Sequence, residues 1–295
     1  MQTFHGVWPA LVTPFTEDDQ VDVAAIERLV KALVDKGLQG FYLCGSTGEG
    51  VFMTTAERKL VTETVVGLVG GQLPVIVHVG ASSVIEAGEL ARHAARLGAS
   101  GISSILPPVT FDERSVVSYF SGVAAAAPDL PFIPYLLGAI RNPLALLESL
   151  NHIPNLAGTK YTGPNMVEMQ QIVGLRSEGW TVFSGMDEQA LFARMSGAHS
   201  CIGSTMNLMG GLYLQLMEAA ARGDYAGALA LQQQANHVTL TLARFGFMGA
   251  LKAALALVGQ PVGAPRTPNI PLPAAKRAEL TAALESAGLR DAAAL

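Results

Sequence analysis

The chain has little charge and few aromatic side chains. Only 15% of its 295 residues are charged and 6% are aromatic, whereas 50% are hydrophobic. This composition argues against a disordered chain and allows a large hydrophobic core. The net charge of -5 and the pI of about 5.7 argue against nucleic acid as a general partner.

Signals for a membrane or for secretion are also absent. No apolar run reaches the roughly 18 residues that a membrane span requires. The N-terminus shows no basic segment followed by an apolar stretch, which is the pattern of a secretory signal. We therefore expect a cytoplasmic protein without a membrane partner.

Metal and nucleotide motifs are missing as well. The two cysteines, Cys44 and Cys201, lie far apart and match no metal-binding spacing, so we expect buried reduced thiols. The six histidines show no H-x-x-x-H or paired spacing, and we expect no metal site. The chain also lacks a G-x-x-x-x-G-K-[ST] loop and a G-x-S-x-G elbow, which argues against P-loop nucleotide binding and a serine hydrolase.

Short apolar runs typical of strands alternate with segments of helical period. The predicted strands are Gly6–Val12, Gly40–Cys44, Pro74–Val79, Gly101–Leu106, Pro131–Tyr135, Leu156–Lys160, Thr181–Ser184 and Ser200–Ile202. The main predicted helices are Thr54–Val69, Ser82–Leu97, Glu113–Ala126, Pro143–Leu150, Met166–Gly174, Glu188–Met195 and Leu208–Ala221, and apolar residues between Val23 and Val34 predict a further one. Eight strand–helix units predict an α/β fold, a (β/α)₈ TIM barrel over residues 1–222.

Residues 223–295 read as a helical C-terminal extension packed on the barrel or on a neighbouring subunit. Helical period covers Tyr225–Phe245, Met248–Val258 and Ala274–Ser286. The linker Gln260–Pro273 contains five prolines and has no regular period.

Lys160 is the most informative single residue. It follows the small apolar segment Asn155–Gly158, at the carboxyl end of the sixth predicted strand. An ammonium there must be solvated, paired with a carboxylate, or driven towards the neutral amine by desolvation. A neutral amine in a water-poor pocket forms Schiff bases with ketones and aldehydes. The alternative is a surface lysine just past a strand end.

The carboxyl ends of barrel strands form the active-site rim in this fold, so residues at those ends should converge. The candidates are Ser46 and Thr47 after strand two, Tyr135 at the end of strand five, Lys160 at the end of strand six, Gly185, Asp187 and Glu188 after strand seven, and Ser204 and Thr205 after strand eight.

Each candidate has a chemical use and an ordinary alternative. The glycine-rich turn Gly45–Gly50 would cradle a carboxylate with its N–H groups and the Ser46 and Thr47 hydroxyls, or be a plain tight turn. Tyr135 would relay protons, or fill the barrel mouth. Asp187 and Glu188 would accept hydrogen bonds from substrate hydroxyls.

The alternative for the acidic pair, Asp187 and Glu188, is capping of the next helix. Ser204 and Thr205 have the same alternative, because hydroxyl side chains also favour the first position of a helix. The sequence leaves these alternatives open.

Together these motifs resemble a known superfamily. G-S-T-G-E at 45–49, Tyr135 and G-T-K-Y-T at 158–162 look like the pyruvate-dependent class I aldolases of the N-acetylneuraminate lyase and dihydrodipicolinate synthase superfamily, in order from Phe4 to about Pro268. The resemblance implies that Lys160 forms the Schiff base with pyruvate or a 2-keto acid and that no other cofactor is used. It also implies that Ser46 and Thr47 hold the carboxylate and that Tyr135 shuttles the proton.

Two further segments resemble the N-acetylneuraminate lyase branch, namely G-M-D-E-Q at 185–189 and I-G-S-T-M-N-L-M-G at 202–210. By this resemblance the sugar's polyol tail contacts Gly185, Asp187, Glu188 and Ser204, with Thr162 alongside. The resemblance thus implies a carbon–carbon lyase that cleaves a 2-keto-3-deoxy sugar acid into pyruvate and an aldehyde. It also implies a homotetramer.

The chain departs from the family pattern at two places. Where the family usually has a tyrosine or aromatic pair after strand four, this chain reads Pro107–Phe111, and Tyr135-Leu136-Leu137-Gly138 replaces the usual Y-N-x-P or Y-H-x-P. The synthases carry an arginine five residues after the tyrosine, where this chain has Ile140 followed by Arg141. The alternatives are therefore a 2-keto-3-deoxygluconate-type aldolase, a dihydrodipicolinate synthase, and a non-catalytic keto-acid-binding homologue.

Overall fold

The structure is a computed structural model that describes residues 4–107, 112–137, 142–175 and 178–295. Its strands are β1 Gly6–Pro9, β2 Phe41–Leu43, β3 Val75–His78, β4 Gly101–Ile105, β5 Phe132–Leu137, β6 Gly158–Thr162, β7 Thr181–Ser184 and β8 Ser200–Gly203. Its helices are α1 Val23–Asp35, α2 Thr55–Val69, α3 Val84–Arg96, α4 Glu113–Ala125, α5 Pro143–Ser149, α6 Met166–Val173, α7 Ala190–Met195, α8 Met206–Ala221, α9 Tyr225–Arg244, α10 Phe247–Leu257, α11 Arg277–Ser286 and α12 Leu289–Ala294.

The eight strands form one parallel sheet that closes on itself. Their order is β1-β8-β7-β6-β5-β4-β3-β2, so each strand from β3 to β7 lies between its two neighbours in sequence, and β8 lies between β7 and β1. A parallel bridge between Ala10 and Tyr42, with a 2.9 Å hydrogen bond from Leu11 N to Tyr42 O, joins the two ends. The predicted (β/α)₈ barrel is confirmed.

Two apolar cores hold the barrel together. The interior core contains Phe4, Trp8, Ala10, Tyr42, Ile76, Ile133, Ala157, Phe183 and Ile202. The larger core lies between the sheet and the helices, and α1 contributes its Ile26, Leu29 and Leu33 face to it. Strands buried on both faces read as nearly continuous apolar runs, which explains why the sequence pattern was visible.

Local signals set several helix starts. Thr54 caps α2 and forms a capping box with Glu57, as the threonine–glutamate spacing indicates. Asp22 caps α1 by accepting a hydrogen bond from Ala25 N. The helix predicted over Glu188–Met195 is different in the structure, because a short 3₁₀ turn at Asp187–Gln189 precedes α7.

Both key strands extend further than predicted. Lys160 lies in the middle of β6 rather than at its end, and Tyr135 lies inside β5 rather than closing it. When strands are identified by hydrophobicity, polar residues such as Lys160 and Thr162 resemble the end of β6. In a barrel, however, the carboxyl half of a strand can be polar because it lines the active-site mouth.

The C-terminal helices pack on the barrel helices rather than forming a separate body. Helix α9 lies along α8, and α10 and α11 both contact α9. Helix α12, which was not predicted, packs on α8. The domain boundary at residue 222 stays a prediction.

No single helix among the described residues is long and apolar enough to cross a membrane, although α9 and α10, bent by 120° at their junction, satisfy the length and composition test as a pair.

Candidate active site

Lys160 points into the barrel interior at its carboxyl end. Side chains alternate along a strand, and the next residue, Tyr161, belongs to the outer core with the helices. Lys160 pairs in register with Tyr135 on β5 and with Phe183 on β7. Its side chain is only 5% exposed, so it is not the surface lysine of the alternative interpretation.

Two tyrosine rings surround the Lys160 ammonium. Its Nζ lies 4.2 Å from the centre of the Tyr135 ring and 4.5 Å from that of Tyr42. Burial raises the pKa of Tyr42 well above its ordinary value, and its hydroxyl lies 3.0 Å from Ser103 Oγ. None of the ion pairs among the described residues includes Lys160. The amine is therefore enclosed by aromatic faces rather than held by a carboxylate.

Thr162 and Gly185 lie immediately above Lys160. Thr162 Oγ1 is 3.4 Å from the Tyr135 hydroxyl oxygen. A Cβ on Gly185 would be 1.9 Å from Thr162 Oγ1 and 3.0 Å from Lys160 Cε. Only glycine fits at this position while both neighbours keep their places.

The Gly45–Gly50 turn approaches the site from the β2 side. Thr47 is buried and its Oγ1 lies 2.6 Å from Ser204 Oγ, while Ser46 is exposed. Asn207 donates to the Ser204 and Ala10 carbonyl oxygens at 2.8 and 2.7 Å, which ties the loop after β8 to the end of β1. One of the two predicted carboxylate-binding hydroxyls, that of Thr47, is therefore in contact with the predicted tail-binding serine.

The acidic loop after β7 is partly buried and does not cap a helix. Asp187 Oδ2 accepts hydrogen bonds from Thr205 N and Oγ1, both at 2.6 Å. Burial raises the pKa of Asp187, and the two bonds from Thr205 oppose this shift. Thr205 occupies the N-cap position of α8, but its side chain makes no capping hydrogen bond. The 3₁₀ turn and α7 also have no side-chain cap, so the capping alternative is wrong for Asp187, Glu188 and Ser204.

Two side chains of helix α9 form hydrogen bonds with the backbone of the same loop and of the start of α7. Gln232 Nε2 donates to the Asp187 carbonyl at 3.0 Å, and Gln232 Oε1 accepts from Leu191 N at 2.9 Å. Asn236 Nδ2 donates to the Glu188 carbonyl at 3.1 Å. The C-terminal helices therefore set the position of both acids.

Sequence reasoning missed His78 and Tyr42. His78 ends β3, and its ring centre is 6.5 Å from that of Tyr135. Its Nε2 accepts from Ile105 N at 3.0 Å, and burial, with the positive charges of Arg58 and Lys160, lowers its pKa to about 3. His78 could have been found from its position near a predicted strand end, whereas Tyr42 has no such signal.

The sequence also led to predictions about the cysteines, a metal site and the departures from the family pattern. Cys44 and Cys201 are buried and form no disulfide, as expected, and burial raises the pKa of Cys44 to about 11. In the part of the chain that the structure describes, no group of three His, Cys, Asp or Glu side chains could hold a metal ion. The departures at Pro108–Phe111 and at Gly138, Ile140 and Arg141 lie outside the described residues.

A closed eight-stranded barrel with a buried lysine among tyrosines at its carboxyl end defines a class of enzyme that can form an imine with a carbonyl substrate. Comparison with known proteins gives the family. The profile of the Dihydrodipicolinate synthetase family matches residues 3–287, and the chain belongs to that family.

Similarity within the family is to N-acetylneuraminate lyases. The N-acetylneuraminate lyase of Rhizobium meliloti is 35% identical over 269 residues, which cover 90% of this chain and 89% of the relative. The solved Proteus mirabilis N-acetylneuraminate lyase superposes with a TM-score of 0.91 at 33% identity, covering 98% of this chain and 100% of that one. A catalytic lysine mutant of the Ruminococcus gnavus sialic acid aldolase gives 0.92 at 29% identity, covering 98% and 96%. The resemblance inferred from the motifs is confirmed.

Proposed function

We propose that this chain is a Schiff-base-forming lyase that reversibly cleaves a 2-keto-3-deoxy sugar acid of the N-acetylneuraminate type into pyruvate and an aldehyde. The observation that carries the proposal is Lys160 Nζ enclosed by the rings of Tyr135 and Tyr42 at the carboxyl end of the barrel. The similarity to N-acetylneuraminate lyases supports it, as does the catalytic lysine of the Ruminococcus gnavus sialic acid aldolase.

Lys160 is the nucleophile in this proposal. Its amine adds to the C2 ketone of the substrate, and loss of water from the carbinolamine gives a protonated imine. The imine withdraws electrons from C3, which makes it the electron sink for the carbon–carbon cleavage. The covalent imine on Lys160 takes the place of a cofactor in this mechanism.

Tyr135 is the proton shuttle. Its oxygen accepts the proton of the C4 hydroxyl while its own proton passes to the substrate carboxylate, the C3–C4 bond breaks, and the electron pair moves into the imine to form an enamine. The aldehyde leaves, C3 of the enamine takes a proton, and water releases pyruvate from Lys160. Thr162 Oγ1, 3.4 Å from the Tyr135 oxygen, is positioned to orient it.

The two ends of the substrate would bind on different sides of Lys160. Ser46 and Thr47 hold the carboxylate, because the Gly45–Gly50 turn presents hydroxyl and N–H donors. Gly185, Asp187 and Glu188 face the polyol tail, with Thr162 alongside. Ser204 lies where the two ends meet, since its hydroxyl is bonded to Thr47. A cytoplasmic location and a homotetramer remain expectations from the sequence and the resemblance.

Borohydride trapping tests the proposal directly. The protein is incubated with pyruvate, reduced and mapped by peptide mass spectrometry, and we expect the adduct on Lys160. Lys160→Arg keeps the charge but cannot form the imine, so it should show neither adduct nor activity. A folded wild-type protein without any adduct would support the keto-acid-binding alternative instead.

Substrate screening then identifies the aldehyde half. Glu188→Gln should reduce turnover of N-acetylneuraminate far more than turnover of a short 2-keto-3-deoxy acid, because only the long substrate reaches the loop after β7. Equal losses on both substrates would favour a 2-keto-3-deoxygluconate-type aldolase.

A further inference from the structure

The Gly45–Gly50 turn is held in an unfavourable backbone conformation. Cys44 and Glu49, which bracket Ser46 and Thr47, have φ angles of 56° and 55°, in the left-handed region that L side chains disfavour. A Cβ on Gly50 would lie 1.9 Å from the Cys44 carbonyl oxygen, so the turn is wound back against its own start. Such conformations persist only where the surrounding structure enforces them.

The Glu49 side chain is the point at which the turn is held. It is fully buried, and its Oε1 lies 2.7 Å from Lys252 Nζ on α10. Its Oε2 accepts hydrogen bonds from Arg266 N at 2.8 Å and from Asn269 Nδ2 at 2.9 Å. All three partners belong to the segment that follows the barrel.

Lys252 connects the turn to its surroundings through this ion pair and two hydrogen bonds. Beyond Glu49, its Nζ donates to the Thr13 carbonyl at 2.8 Å and to the Ala264 carbonyl at 3.1 Å. Thr13 in turn donates its hydroxyl to the Gly48 carbonyl at 2.6 Å. Burial lowers the pKa of Lys252, and the adjacent Glu49 carboxylate opposes that shift.

The pair also has an electrostatic role. Glu49 is two residues from Thr47, which the proposed function assigns to an incoming carboxylate. An unpaired buried anion at that distance would oppose the binding of another anion, because interactions are weakly screened away from water. Lys252 cancels this charge without itself occupying the site.

We propose that Glu49 and Lys252 are positioning residues for the carboxylate end of the substrate, so that the C-terminal helices form part of the pyruvate site. This inference rests on the function proposed above. It goes beyond that function because neither side chain touches substrate. Every 2-keto acid shares the carboxylate, so a broken pair should weaken the binding of short and long substrates by the same factor.

The test measures adduct formation on Lys160 by borohydride trapping at graded pyruvate concentrations, together with KM and kcat for one short and one long keto acid. Lys252→Met should raise the half-saturating pyruvate concentration about tenfold or more, with a smaller change in kcat. Adding Glu49→Gln to Lys252→Met should recover part of the loss, because the uncompensated charge is then gone. If Lys252→Met does not fold, the same measurements are made on Glu49→Gln alone.

Leu284→Ala is the matched control. Leu284 is fully buried on α11, a helix that carries none of the partners of Glu49, so its truncation should lower the melting temperature and leave the half-saturating pyruvate concentration unchanged. Lower melting temperatures in all variants, with pyruvate saturation equal to the wild type, would overturn the inference and leave the proposed function intact. A wild-type protein that forms no adduct would overturn both.

Discussion

The Thr47 and Ser204 hydroxyl oxygens lie 2.6 Å apart, although 157 positions separate the two residues in the chain. The bond joins the loop after β2 to the loop after β8 across the mouth of the barrel. It brings a residue expected to bind the substrate carboxylate into contact with one expected to bind the sugar tail.

The first prediction concerns this bond. Ser204→Ala should raise KM for short and long keto acids alike, by about threefold to tenfold, because a hydrogen bond that orients Thr47 contributes about 1 kcal/mol. Thr47→Val should have a larger effect, since it removes a donor to a charged group. The test is the KM of each variant, measured by steady-state kinetics with keto acids of different length. A Ser204→Ala effect limited to the long sugar acid would assign Ser204 to the tail alone.

The second prediction separates imine formation from proton transfer. Tyr135→Phe keeps the ring that lies 4.2 Å from Lys160 Nζ but removes the hydroxyl. We expect kcat to fall by about 10²–10⁴-fold, the usual contribution of a general base, while borohydride still traps pyruvate on Lys160. Loss of trapping together with activity would show that Tyr135 acts on the imine-forming step as well.

The third prediction concerns Gly185. Gly185→Ala introduces a methyl group against Thr162 Oγ1 and Lys160 Cε, so we expect at least a hundredfold loss of kcat/KM in a folded protein. Gly67→Ala is the control, because no atom lies within 4 Å of its added Cβ. That change, at an exposed position in the last turn of α2, should leave activity intact and stabilise the protein by about 0.5–1 kcal/mol. Full activity of Gly185→Ala would contradict the tight packing around Lys160.

The fourth prediction tests the support that α9 gives to the acidic loop. Gln232→Leu leaves the Leu191 N–H and the Asp187 carbonyl without their buried partner, and should destabilise the protein by about 2–3 kcal/mol. KM for the long sugar acid should rise more than the half-saturating pyruvate concentration. Gln233→Leu, at the neighbouring exposed position, is the control for chemical denaturation and kinetics. If the two variants have the same stability and the same KM values, α9 does not contribute to substrate specificity.

The fifth prediction follows from the buried His78. Its pKa falls from 6.5 in the unfolded chain to about 3 in the folded one, so only the unfolded chain takes up a proton as the pH drops below 6.5. The resulting stability is present above pH 6.5 and is lost as the pH falls towards 3. Between pH 7.5 and 5 the wild type should lose about 2 kcal/mol of unfolding free energy to this group alone.

His78→Gln provides the comparison for that measurement. The glutamine oxygen can replace Nε2 as the acceptor for Ile105 N, but the side chain does not titrate. Denaturant titrations at several pH values should therefore show a shallower acid dependence in the variant. Parallel pH dependences would mean that His78 is protonated in the folded protein.

Much of the barrel and its site could be predicted from the sequence because both depend on local patterns. Alternating apolar runs and helical periods indicate strand–helix units, and the carboxyl-end rule then gathers Ser46, Tyr135, Lys160 and Asp187 at one rim. The limit of β6 was wrong because the polar residues Lys160 and Thr162, which line the mouth, resemble the end of a strand. The extension of β5 over Leu136 and Leu137 was missed although both residues are apolar. Tyr42 was missed because nothing local distinguishes an inward tyrosine from an outward one.

Three properties follow from the sequence alone, namely the order of the elements, the type of chemistry that a lysine on a strand can perform, and the family. Which side chains meet depends on the packing of the folded chain. Asp187 binds Thr205 rather than capping a helix, and Glu49 pairs with Lys252, 203 positions away by number. Both contacts depend on loops and helices that are distant in sequence and adjacent in space. A buried carboxylate needs a polar partner because burial without one costs free energy. The packing of the barrel determines which residue is close enough to be that partner.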